Sequence, residues 1–210
     1  MKPYGEYCAL AKALEIVGER WTLLIVRELM ARRTARYTDL RNGLPGIASN
    51  LLADRLRELE GAGIVVREDP PPPVATAVYR LTARGEALRG VIRELGLWGA
   101  PLLADASRTD EIRGYWITLP AALYLEDARP DDDPVTLELR AGDEPVTLRI
   151  GNGSVTSSIG PADKPDAILT GPARSVARVL LGGLPVRDAG KTTRYEGAPA
   201  VLSRLRRSTQ

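Results

Sequence analysis

The sequence predicts an α+β chain in two domains, residues 1–103 and 104–210, on three observations. Apolar residues recur at helical spacing through the first sixty positions. The period then switches to two short β-type runs around a prolyl turn at 64–81. From 135 to 159 apolar and polar residues alternate between glycine turns, the pattern of an antiparallel sheet with one buried face.

In the first half, Leu10, Ala13, Leu14 and Val17 form a stripe that ends at Gly18. A second helix follows, with Trp21, Leu24, Ile25 and Leu29 expected on its buried side. Arg32, Arg33 and Arg36 lie in the connection to a short third helix opened by Tyr37, Thr38 and Asp39 and turning Leu40 inward. Gly43, Pro45 and Gly46 break that helix. Between Gly46 and Gly63 a longer helix puts Leu52, Leu56 and Leu59 on one face and Ser49, Asn50, Ala53, Asp54 and Arg57 on the other. Three short helices, the last with small and hydrogen-bonding residues at its leading end, form the helix-turn-helix plan, in which the leading end meets base edges in a major groove. On its own the same pattern describes any amphipathic surface helix. The runs 64–67 and 77–81 read as the strands of a hairpin, a wing, with Pro70 to Pro73 as its stiff exposed tip. Thr82 is placed to cap a further helix whose stripe Leu88, Val91, Ile92, Leu95, Trp98 and Leu102 exceeds what a small domain can bury, which points to a dimer contact.

These residues resemble the HxlR family of winged helix-turn-helix transcriptional regulators, relatives of the MarR type, over residues 4 to about 103. The likeness is carried by Tyr7-Cys8, Gly18-x-Arg20-Trp21, Leu40-Arg41, Leu44-Pro45-Gly46-Ile47, Leu51-Leu52 and Leu56-x-x-Leu59. It implies a homodimer on a palindromic double-stranded operator, two recognition helices in successive major grooves and wings along the flanking DNA. The implied DNA set is Ser49, Asn50, Ala53, Asp54 and Arg57, with Arg20, Arg36, Thr38, Arg41 and Arg80. Asp54 would accept from a cytosine or orient Arg57, since a lone carboxylate repels phosphate. The family commonly has Ser where this chain has Ala48, so Ser49 is expected to take over the capping role, and the wing tip carries no Arg or Lys.

In the second half, residues 111–127 read as a helix bearing Ile112, Tyr115, Trp116, Leu119, Leu123 and Tyr124, with Pro120 as a kink or break. Runs at 135–139, 146–150 and 155–159 form the meander, followed by a strand at 167–170, a helix at 172–181 and a terminal helix through Val201, Leu202 and Leu205. This portion is similar to sterol carrier protein type domains, on residues 146–155, 165–171, 176–183, Asp188-Ala189 and Tyr195-Glu196-Gly197. Members typically close with Glu-Gly-Asp, where this chain has Glu196-Gly197-Ala198. The likeness implies a tunnel for a lipid-like or other apolar effector. Tyr115, Trp116, Leu119, Leu123, Tyr124, Leu137, Leu148, Val176 and Leu180 either line it or fill a core, with Trp116 the foremost lining candidate.

Composition narrows the function classes. The net charge is +2, but residues 1–103 carry 15 basic and 12 acidic side chains and the remainder 14 and 15, an asymmetry of +3 against −1 that permits DNA binding. With no histidine and one cysteine, Ser-His-Asp and Cys-His catalysis are excluded, no metal or cofactor is expected, and the chain reads as a non-enzyme. No apolar run is long enough for a membrane span or a secretory leader, so a cytoplasmic protein with no membrane partner is expected. Cys8 is either a buried, inert residue or a sensing thiol. The leading expectation is a dimeric regulator, a repressor, whose apolar effector in the second domain resets the spacing of the recognition helices. The alternatives are a carrier of hydrophobic ligands with a degenerate DNA-binding domain, and a redox sensor acting through Cys8.

Overall fold

The computed structural model describes residues 3–69, 76–107 and 109–208. The chain divides into two compact units, one ending at Leu103 and one beginning at Ala104.

The first unit runs α1 (Ala9–Val17), α2 (Thr22–Arg32), β1 (Thr34–Arg36), α3 (Tyr37–Gly43), α4 (Ser49–Gly61), β2 (Val65–Glu68), β3 (Val78–Leu81), α5 (Ala83–Glu86) and α6 (Arg89–Gly99). Ile25, Leu29, Leu40, Leu52, Leu56 and Leu59 form its core, each at most 2 % exposed. The spacing of the three α4 leucines turns one face inward, and the helix ends in a Schellman turn. There the Ile64 N–H reaches the Leu59 carbonyl, the Gly63 N–H reaches Glu60, and Gly63 takes the left-handed conformation at φ +68°.

Several expectations change here. Three residues after α2 form a strand, β1, that pairs antiparallel with β3 (Ala35 opposite Tyr79), so the wing is a three-stranded sheet in the order β1-β3-β2. Only Ala35 of β1 is buried, too little alternation to read from sequence. The helix expected after Thr82 is broken. Thr82 does cap it, its Oγ1 accepting from the Gly85 N–H at 3.1 Å, but one turn later the Leu88 N–H closes back on Gly85 and α6 starts afresh. Gly85 holds that first turn on the wing, since a Cβ there would sit 2.2 Å from the Ile64 carbonyl oxygen. Leu24, expected to be buried, is 41 % exposed, and Leu10, Val91, Leu95 and Trp98 are exposed with it. The prolyl tip at 70–73 lies outside the described residues.

The second unit runs through a 3-10 turn (Gly114–Ile117), α7 (Thr118–Tyr124), β4 (Leu125–Asp127), β5 (Val135–Arg140), β6 (Val146–Gly151), β7 (Ser154–Ile159), β8 (Ala167–Thr170), α8 (Ala173–Gly182), β9 (Arg194–Gly197), α9 (Ala200–Ser203) and β10 (Leu205–Arg207). Pro120 neither kinks nor breaks α7, because it sits in the first turn, where its missing N–H has no intrahelical acceptor to lose. The helix expected through 127 stops at Tyr124. Its last residues form β4 instead, and the expected terminal helix is a single turn, α9, over Val201 and Leu202, after which Leu205 opens β10; β4 and β10 pair antiparallel with Glu126 opposite Arg206.

The main sheet has the order β7-β6-β5-β8-β9 and is mixed rather than antiparallel, because β8 lies parallel to β5. To reach that position, residues 160–166 cross the polar face of the sheet. Glu138 of β5 fastens them, its Oε2 accepting from the Ala162 N–H at 2.8 Å and its Oε1 from Arg140 Nε at 2.6 Å. Burial pushes the Glu138 carboxyl up, but these donors outweigh it and hold it below the usual carboxylate range. The opposite, apolar face carries Leu137, Leu139, Leu148, Ile150 and Leu169, covered by α8 through Val176 and Leu180 and by Tyr115 and Ala121.

A second buried charge closes the unit. Arg204, 3 % exposed, donates from Nε and Nη2 to the two oxygens of Asp127 at 3.0 and 2.8 Å and from its remaining hydrogens to the carbonyls of Arg129, Asp132 and Asp133. The Arg204 guanidinium holds the Asp127 carboxyl below its usual range.

Candidate nucleic-acid interface

The sequence-predicted recognition face comes together on α4. At about 100° per residue, Ser49, Asn50, Ala53, Asp54 and Arg57 span less than half the helix circumference, centred about 120° around from the buried leucines. Ser49, Asn50 and Arg57 are exposed, while Ala53 and Asp54 are half-buried. Asp54 and Arg57 form an ion pair one turn apart, both with side chains open to solvent. The free protein thus holds Arg57 against the carboxylate that orients it.

Ser49 does not replace the missing cap. It is the first helical residue, Ala48 occupies the cap position at φ −71°, ψ 141°, and no side chain closes the helix there. The backbone N–H groups of the first turn therefore lack the side-chain acceptor that a Ser at 48 would offer. The end is held from outside instead: the Tyr37 hydroxyl, on the first residue of α3, donates to the Ser49 carbonyl at 2.7 Å. Nothing in the helical periodicity pointed to Tyr37 as more than a helix opener.

The other candidates are spread over neighbouring elements. Thr38 and Arg41 are exposed on α3. The Arg36 N–H donates to the Asp39 carboxylate at 2.8 Å, which starts α3, while the Arg36 side chain stays exposed. Arg80 on β3 is paired with Glu68 across the wing, and Arg67 on β2 with Asp69 at 3.1 Å. Arg67 is a wing cation that the hairpin reading did not single out. Arg20 packs its guanidinium over the Trp21 ring, 5.5 Å from the centroid, so it belongs to the α1–α2 turn and has a partner there.

Below that turn an open apolar groove of about 450 Å³ runs between α1, α2 and α6, lined by Leu10, Leu14, Trp21, Leu24, Val91 and Leu95 among others. The exposed stripes of α1 and α6 are its walls. Cys8, at the cap position of α1, is exposed, so it is not the buried residue that one reading of it expected.

In the second unit, Leu137, Leu148 and Val176 are fully buried and, with Tyr115 and Leu180, belong to the packed core. Leu119 is also buried, whereas Trp116, Leu123 and Tyr124 are half-buried. Among the described residues, no group of three or more acidic, cysteine or histidine side chains is placed to hold a metal ion, and no helix is long and apolar enough to cross a membrane.

The model of the HxlR-like helix-turn-helix family matches residues 16–107. The uncharacterized HTH-type transcriptional regulator YvaP of Bacillus subtilis is 34% identical over 87 residues, covering 41% of this chain and 80% of YvaP. The HTH-type transcriptional regulator YodB of the same organism is 35% identical over 89 residues, covering 42% of this chain and 79% of YodB. Among solved structures, the reduced form of YodB aligns at 31% identity with a TM-score of 0.42, over 49% of this chain and all of that one.

Proposed function

The chain belongs to the HxlR-like helix-turn-helix family, and from that premise we propose that it is a repressor that binds a palindromic operator as a homodimer and answers to an apolar small molecule. The observation that carries the DNA reading is α4 itself, with leucines beneath, a small and polar leading face above, and a sheet-built wing beside it. Ser49, Asn50 and Ala53 approach base edges, Arg57 reads a guanine while Asp54 orients it, and Thr38, Arg41 and the wing arginines meet phosphates. The apolar groove supports the dimer, since walls of exposed Leu10, Leu24, Val91 and Leu95 on a monomer are surface that a second copy would remove from water.

The effector reading rests on the covered sheet of the second unit. A ligand there enters beside the half-buried Trp116, Leu123 and Tyr124, because the deeper candidates are packed against one another. To act, it must favour a dimer whose helices no longer match one DNA turn.

Selection from a random duplex library followed by footprinting tests the first claim. A palindromic footprint whose affinity falls steeply with salt is expected, and no protected site at low salt would sink it. Mass spectrometry of molecules extracted from the purified chain tests the second. A retained apolar ligand that leaves DNA affinity unchanged favours the carrier reading instead. A thiol sensor is a second reading, favoured by one observation, the exposure of Cys8 at the start of α1.

A further inference from the structure

The turn between α1 and α2 touches the recognition helix at two points. Glu19 Oε2 lies 3.0 Å from Arg55 Nη2, and the Arg55 side chain is only 16 % exposed. Arg55 also pairs with Glu58 one turn along α4. Two residues after Glu19, the indole of Trp21 lies against Gly46, its Cη2 3.9 Å from where a side chain would begin. Gly46 stands three residues before α4, and Trp21 holds a left-handed backbone at φ +79°, a conformation that costs energy in a bulky residue and persists only where its surroundings impose it. Glu19 and Trp21 both line the apolar groove. The same short turn is therefore groove wall on one side and buttress of α4 on the other.

Arg55 cannot itself be a DNA contact. At about 100° per residue it lies roughly 170° around α4 from the middle of the Ser49–Arg57 face, on the flank of the buried leucines. We propose that Glu19 and Arg55 are positioning residues. Their ion pair, seconded by Trp21 against Gly46, ties the recognition helix to the groove wall, so that a second copy of the chain filling the groove fixes the angle at which α4 meets DNA. This rests on the DNA-binding reading, and it names the route by which pairing of two copies is felt at the operator.

A double-mutant cycle on the full chain tests it, with Glu19→Gln, Arg55→Gln and the double variant. Operator affinity is measured by fluorescence anisotropy over a range of salt. Glu19→Gln is expected to weaken binding about 1.5- to fivefold, as for a half-exposed pair, and to add nothing in the Arg55→Gln background. The slope of log affinity on log salt stays at the wild-type value, because no phosphate contact is lost; a lost contact would lower it by about 0.9. In the absence of DNA, hydrogen exchange of the α4 amides 49–61 quickens in both single variants and no further in the double. Unchanged exchange in α4, independent multiplying effects, or a reduced salt slope for Glu19→Gln would each overturn the tether. A wild-type chain that selects no DNA would overturn the DNA-binding reading instead, while the exchange measurement still decides the tether.

Discussion

Replacing Arg204 with methionine removes a buried cation of similar reach and leaves Asp127, 1 % exposed, without its countercharge. Of the donors to the Asp127 carboxylate, the backbone N–H groups of Arg129, 3.0 Å from Oδ1, and of Gly153 remain. Breaking a buried pair by removing one partner costs about 3–5 kcal/mol. The carbonyls of Arg129, Asp132 and Asp133 lose their donor as well, each with a net effect of about 0.5–1.5 kcal/mol where water does not replace it. Taking about 3 kcal/mol as the floor, and about 4–8 °C per kcal/mol for a unit of roughly this size, the second unit should melt some 12–24 °C lower. The assay is thermal and urea unfolding followed by near-ultraviolet circular dichroism, with Trp116 as the fluorophore of this unit. The pH dependence has a definite sign. In the wild type the folded Asp127 carboxyl titrates below its unfolded value, so the pair contributes stability above about pH 4 that is lost as pH falls through the folded pKa. In Arg204→Met the unpaired buried carboxylate gains from protonation, so the gap between variant and wild type narrows on acidification. A loss under 1 kcal/mol at neutral pH, or a gap that widens in acid, would refute the reasoning.

On α4, Arg57→Ala should cost about tenfold in operator affinity, and Asp54→Asn should raise affinity for random DNA while lowering discrimination at one base pair; competition binding on selected and scrambled duplexes checks both. Leu95→Arg places a charge in the apolar groove and should yield monomers by analytical ultracentrifugation, with operator binding falling at least tenfold; an intact dimer would remove the groove as the pairing surface. Leu56→Ala, at a site 1 % exposed, should destabilise the first unit by about 2–5 kcal/mol in urea titration. Cys8→Ser should abolish any loss of DNA binding on diamide treatment, and an unchanged oxidant response would remove the thiol reading.

Much of the first unit was legible because its cues are local. The leucines at 52, 56 and 59, the breaking Gly43-Leu44-Pro45-Gly46 run and the capping Thr82 each act within a turn or two of chain, and each places an element where the structure has it. What escaped depends on distant partners. β1 is a strand only because β3 offers an edge, β10 only because β4 does, and the direction of β8 is decided by a crossover whose fastening, Glu138 to Ala162, joins residues 24 apart. The apolar stripes of α1 and α6 were visible, but period alone cannot separate a stripe that faces its own core from one that faces a groove. The same limit applied at the interface. Asp54 and Arg57 were readable as neighbours from their spacing, whereas Tyr37 and Glu19 reach α4 from 12 and 36 residues away.

The absent cap at Ala48 has a thermodynamic consequence. A helix closed by its own side chain has already used its leading donors, and a ligand arriving there must displace that bond. Here the donors of the first turn are left to solvent in the free chain, so an arriving phosphate oxygen gives up little protein hydrogen bonding to meet them. Stability that an internal cap would supply permanently is thus made conditional on occupancy. By mass action, DNA at a hundred times its dissociation constant adds about 2.7 kcal/mol to the folded state. If the chain binds an operator as proposed, the melting temperature of the first unit rises with the operator present.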